Sequence, residues 1–160
     1  MTEELERTAI HEAGHAVLSC MLRVPFRRVT IKPHGDTAGR VVCPPWPSAL
    51  RPDLSFGPRV ARRLEAEIMV LFGGYLAEVE RFGGEPAEWG WSADREQIAD
   101  LVLYLAGPEA QRAVDELRDR ARGYIRAAWP AVEAVAQKLL EVRTLRAAEA
   151  RRLYLAAKPA

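Results

Sequence analysis

Five residues near the start of the chain, His11-Glu12-Ala13-Gly14-His15, constrain it more than any other stretch. On an α-helix, residues four apart lie one above the other on the same face, so His11 and His15 can aim two imidazoles at one point. Two neutral imidazoles suit a borderline-soft cation such as Zn²⁺. A carboxylate one residue past the first histidine is placed to take a proton from a water on that metal. The flanking sequence supports a helix from Thr2 to about Arg23. Thr2 stands as N-cap, Glu3 and Glu4 lie in the first turn, and Pro25 lies just past the end. Leu5, Ala9, Ala13, Ala16, Val17, Cys20 and Met21 recur at three- and four-residue spacing and predict an amphipathic helix. Without Glu12, a histidine-bearing core helix would be the simpler reading; the full pentad favours a metal site. Gly14 costs roughly 1 kcal/mol relative to alanine in mid-helix, which suggests that another segment comes close there.

A chain of 160 residues, 49% hydrophobic and 28% charged, is expected to form one domain spanning 1–160 with a real core. Residues 1–106 would form a metal-site half and 107–160 a set of C-terminal helices. The net charge of +1 directs the chain toward neither nucleic acid nor an anionic membrane. No apolar run approaches the roughly eighteen residues of a membrane span, and the first residues are acidic, so a cytoplasmic protein is expected. Cys20 and Cys43 make no C-x-x-C pair and read as free thiols.

After the first helix, residues 28–32 and 40–43 read as two short strands around a turn, giving a small β-ribbon or sheet edge. Prolines at 44, 45, 47, 52 and 58 make 43–58 a loop, pinned to the surface by Trp46, Leu50, Leu54 and Phe56. A lid over a groove is the alternative. Residues 59–82 form a helix with Leu64, Ile68, Leu71, Phe72, Tyr75, Val79 and Phe82 as its stripe. Gly73-Gly74 interrupts it, and with Gly14 suggests a tight helix crossing. Ser92 begins a helix to about Ala106, stopped by Gly107-Pro108. Helices follow at about 109–129, 130–142 and 145–157, the last with Thr144 as N-cap. The fold class is therefore mainly α.

A catalytic zinc site usually takes three protein ligands and leaves one position open. The pentad supplies two. His34, Glu67, Glu78 and Asp94 are candidates for the third. Asp94 leads on physical grounds, because it begins the inward stripe of its helix, four residues before Ile98, and an inward acid needs a partner.

His11-Glu12-Ala13-Gly14-His15-Ala16, the strand Val29-Thr30-Ile31 with Gly39 after it, Leu71-Phe72-Gly73-Gly74-Tyr75-Leu76-Ala77-Glu78 and Gly90-Trp91-Ser92-Ala93-Asp94 resemble, in that order, the peptidase domain of the FtsH family of AAA+ zinc proteases. The resemblance covers nearly the whole chain. It implies His11, His15 and Asp94 as Zn²⁺ ligands, Glu12 as the catalytic glutamate, and Glu78 as a residue steadying a ligand histidine. It also implies that an extended substrate pairs with the edge of the strand at Val29, Thr30 and Ile31. Family members usually carry a membrane segment and an ATPase ahead of this domain, whereas here no G-x-x-x-x-G-K-[ST] loop is present. Trp89 and Trp91 stand where the family is smaller and more polar, and would narrow the cleft or cover a surface.

The resemblance implies a zinc endopeptidase, and the missing nucleotide-binding loop adds the expectation that it is ATP-independent and acts on unfolded or flexible polypeptides. Two alternatives remain: a non-proteolytic metal-containing module that binds peptides, and a peptidase subunit working with a separate ATPase chain. The expected partner is a polypeptide substrate, with a homo-oligomeric ring as a further expectation by analogy. Co²⁺, Ni²⁺ or Mn²⁺ would fit the same donor atoms.

Overall fold

Helix α1 (Glu3–Leu22) is the axis about which the other elements pack. Every residue from Ala9 to Ser19 is buried, including His11, Glu12 and His15. The helix is thus enclosed through its middle, not half-exposed as the amphipathic reading predicts. Its apolar sides meet α2, α5 and α6, and its polar residues face a cleft. The computed structural model describes residues 2–48, 56–84 and 92–157. Leu50 and Leu54 of the proline-rich loop, and Trp89 and Trp91, lie outside the described residues.

Two short strands follow α1: β1 (Arg28–Thr30) and β2 (Arg40–Val42). The long helix α2 (Pro58–Phe82) begins with proline at its first position, where the missing N–H costs nothing. Then come α3 (Ser92–Ala106), a short 3₁₀ turn at Gly107–Glu109, α4 (Ala110–Ala127) and α5 (Trp129–Val142). Strand β3 (Thr144–Arg146) and helix α6 (Ala147–Ala156) complete the described chain. The fold is mainly α with one small antiparallel sheet. Among the described residues, no helix is long and apolar enough to cross a membrane.

The sheet corrects two expectations. Its order is β2-β1-β3, so β1 is the central strand, paired on both sides. Val29, Thr30 and Ile31 therefore do not offer a free edge. All three are buried, Val29 lies opposite Val41 and Leu145, and the Ile31 N–H donates to the Arg143 carbonyl at 3.0 Å. The edge strands are β2 and β3, and of the two it is β2 that lines the cleft. Thr144, expected to cap the last helix, instead lies in β3, where its hydroxyl meets that of Thr30 at 2.8 Å. The cap of α6 is Arg146, whose N–H donates to the Glu149 carboxylate at 2.8 Å. Likewise Thr2 occupies the N-cap position of α1 with extended backbone, but its side chain makes no capping bond.

One close approach positions everything that follows. Where α1 crosses α2, Gly14 and Gly73 lie backbone against backbone. A Cβ on Gly14 would collide with the Gly73 carbonyl, and one on Gly73 would stand 2.8 Å from the Gly14 oxygen. Without glycine at both positions the two helices would have to separate, which is why the mid-helix cost of these residues is tolerated. Leu18, Val17, Leu64 and Ile68 are fully buried about the α1–α2 core, each contributing about 1.5–3 kcal/mol of burial.

Candidate metal centre

His11 and His15 are one turn apart on α1, and their Nε2 atoms are 3.0 Å from each other. The first turn of α3 brings Asp94 to the same point. Its Oδ2 lies 3.3 Å from His11 Nε2 and 3.2 Å from His15 Nε2. These three residues form a group whose donor atoms all fall within coordination reach of one cation. The other third-ligand candidates lie elsewhere. Exposed His34 is bridged to Thr37, Glu67 is engaged by Arg63, and Glu78 stands behind His11.

The outer nitrogens decide what the inner ones can do. His15 Nδ1–H donates to the Val70 carbonyl at 2.8 Å, and a carbonyl can only accept. His11 Nδ1–H donates to Glu78 Oε1 at 2.7 Å. Each neutral imidazole therefore turns an Nε2 lone pair inward. Two lone pairs and a carboxylate oxygen facing one another at 3.0–3.3 Å repel unless a cation or a proton lies between them. A tetrahedral cation about 2.0–2.1 Å from each donor separates its ligand atoms by about 3.3 Å, close to the spacings found. The donor set and its dimensions fit zinc.

The electrostatics of the metal-free cluster point the same way. Burial alone would lower the His11 pKa, but the carboxylates of Asp94 and Glu78 outweigh it and raise it from 6.5 to about 10. His15 is also raised, with Asp94 overcoming burial. Burial pushes Asp94 up, yet the two imidazoles hold it well below the usual carboxylate range. Protons and Asp94 thus balance the charge where a metal would otherwise do so.

Glu12 is 6% exposed, and its Oε2 is buried without a hydrogen-bond partner. Burial raises its pKa, and the two histidines oppose that rise. It is held from above by Gly39, just before β2, where a Cβ would stand 2.8 Å from Glu12 Cγ. Gly74 does the same for the imidazoles, since a Cβ there would lie 2.5 Å from both Nε2 atoms. An open cleft of about 1190 Å³ covers the site, with Val41, Pro44, Trp46, Val70 and Leu71 among its apolar lining. Behind the site, Arg7 reaches Glu78 Oε2 at 3.6 Å and lies over the Phe82 ring.

A sequence model of the family described as Peptidase family M41 matches residues 1–106, about two thirds of the chain. The chain belongs to peptidase family M41. Among similar proteins is an "ATP-dependent zinc metalloprotease FtsH" of Acidimicrobium ferrooxidans, 29% identical over 94% of this chain and 28% of that protein. A similarly named protein of Neorickettsia risticii is 35% identical over 62% of this chain and 15% of its own length. A chloroplastic/mitochondrial relative of Arabidopsis thaliana is 27% identical over 92% of this chain and 21% of its own length. This M41 chain therefore spans less than a third of the length of these relatives.

Within the M41 chain, His11, Glu12, His15, Glu78 and Asp94 are brought to one place, whereas Val29, Thr30 and Ile31 are not at an open edge. Three contributors escaped the sequence reading. The Val70 carbonyl has no side-chain signature. Gly74 and Gly39 were visible as glycines but not as walls of the site.

Proposed function

We propose that this chain is a zinc-dependent endopeptidase that cuts unfolded or flexible polypeptides and needs no nucleotide for the cut itself. The observation that supports it most is the convergence of three electron-pair donors 3.0–3.3 Å apart beside a buried, unpartnered carboxylate in an open cleft. The relatives' printed names, zinc metalloproteases, support the metal. In this reading His11, His15 and Asp94 hold Zn²⁺. Glu78 and the Val70 carbonyl fix the two imidazoles in the tautomer that turns Nε2 inward. Bound there, zinc supplies a Lewis acid that polarises the scissile carbonyl and acidifies water. Glu12 takes the proton of the attacking water at Oε2 and passes it to the leaving amine; its raised pKa makes it a stronger base than an exposed glutamate. Gly39 packed on Glu12 and Gly74 packed on the imidazoles keep that carboxylate close to the imidazole pair.

The substrate edge moves from β1 to β2. Gly39, Arg40 and Val41 line the cleft, and β2 has no strand on its outer side among the described residues. An extended peptide added there satisfies the strand's free backbone groups and passes in front of Glu12. The three ligands, the glutamate and the cleft are all supplied by this chain, which supports cleavage of an already unfolded peptide without ATP hydrolysis. Folded substrates have to open first. The test is cleavage of casein or a quenched unstructured peptide by the zinc-loaded protein without nucleotide. Cutting that stops on chelation and returns with zinc supports the reading. Stoichiometric zinc with no cutting of either substrate overturns it in favour of a binding module.

A further inference from the structure

Arg40 is the first residue of β2 and follows directly on Gly39, the backbone that packs against Glu12. It lines the cleft and is half-buried. Its Nε–H is covered and has no hydrogen-bond partner. Among the described residues, the cations lining the cleft are Arg7 and Arg40. Arg7 is held by Glu3 at 3.5 Å and Glu78 at 3.6 Å. Arg40 has no carboxylate within ion-pair distance among the described residues.

The cleft's own acids do not serve it. Glu67 is taken by Arg63 and Glu78 by His11 and Arg7, while Glu12 and Asp94 belong to the metal site. Glu4 and Asp36 stand exposed at the rim, where solvent and salt screen them. A partly dehydrated guanidinium with a covered, unpaired N–H carries a standing cost that an incoming anion would relieve. Arginine's planar fork suits a carboxylate. On a peptide strand added to β2, the residue opposite Arg40 projects from the same face of the sheet.

We infer that Arg40 sets the substrate preference of this site by receiving a carboxylate of the bound peptide, either an acidic side chain or a free C-terminus. The inference rests on the peptidase reading of the cleft. It assigns the substrate class: flexible chains that carry a carboxylate where they pass Arg40.

The test uses zinc-loaded Glu12→Gln protein, which holds peptides without cutting them, and fluorescent unstructured peptides read by anisotropy. The peptides differ only in carrying Glu, Gln or Lys at one position, each with an amidated or a free C-terminus. The carboxylate-bearing peptide is expected to bind about tenfold tighter than its neutral twin. Adding Arg40→Gln brings that ratio close to one, and Arg40→Lys keeps part of it. Preference for internal Glu in the amidated pair assigns the side chain; preference only for the free terminus assigns the C-terminal carboxylate. Equal affinities, tighter binding of the Lys peptide, or a preference that survives Arg40→Gln overturns the inference. If such peptides are cut by the wild type with no acid preference, the peptidase reading stands and this inference alone falls. If none is bound or cut, both fall.

Discussion

Gly74→Ala isolates the geometry of the metal centre from its chemistry, because it removes no donor atom. The added Cβ would lie 2.5 Å from both His11 Nε2 and His15 Nε2, whereas ordinary contact begins near 3.4 Å. Relief requires the imidazoles or the α2 backbone to move by about 0.9 Å, the difference between those distances. Zinc–ligand distances hold to within about 0.2 Å, so a shift of that size breaks the centre. Zinc affinity is expected to fall at least about 100-fold, the upper end of what disturbed supporting residues cost. Overpacking costs about 1–3 kcal/mol, and alanine's better helix propensity returns about 1 kcal/mol, so the fold survives. Gly123→Ala, on exposed α4 with nothing within 4 Å of the added Cβ, is the control and should be neutral or stabilising. The assay is zinc competition against a chromophoric chelator, with thermal melts of the metal-free proteins alongside. Wild-type zinc affinity in Gly74→Ala would refute the claim that both imidazoles turn Nε2 toward α2 at contact distance.

Two further outcomes follow from the same cluster. Asp94→Ala should lose most of its zinc by elemental analysis, while Glu78→Ala, which removes only the support of His11, should lose about 10–100-fold in affinity; unchanged stoichiometry in Asp94→Ala would remove that residue from the ligand set. In the metal-free protein His11 is raised from 6.5 to about 10, so its stabilisation is fully present below pH 6.5 and lost as pH rises through about 10. Zinc must displace that proton. The two Nε2 atoms at 3.0 Å leave room for about one between them, so zinc affinity should rise about tenfold per pH unit between pH 6.5 and 9. Melts with and without zinc across that range check it, and a zinc-induced rise in Tm that stays flat or shrinks with pH contradicts it.

What could be read from the sequence was what local periodicity carries. The i, i+4 histidines, the inward stripe beginning at Asp94, and the three glycines of the α1–α2 crossing all announce themselves within one or two helical turns. The ends of α2, α3 and α5 agreed with their stop and start residues to within one position. Strand β3 was not legible, because Thr144-Leu145-Arg146 is too short for a period and sits where a helix start also fits. That single omission hid the centrality of β1, whose partner lies more than a hundred residues away. It also gave β1 an open edge that the sheet leaves to β2 and β3. The uniform burial of α1 escaped for a related reason: the periodicity marked its apolar sides but could not show that Gly39 and Asp94 pack on its polar side. Backbone contributions such as the Val70 carbonyl leave no residue type to notice.

Coordination of one zinc by His11, His15 and Asp94 is read out by X-ray absorption at the zinc edge on purified protein of known metal content. It predicts one zinc per chain with two imidazole nitrogens and otherwise oxygen ligands at about 2.0–2.1 Å. Sulfur neighbours at about 2.3 Å, or a single imidazole at full occupancy, would place the metal elsewhere and rule out this ligand set.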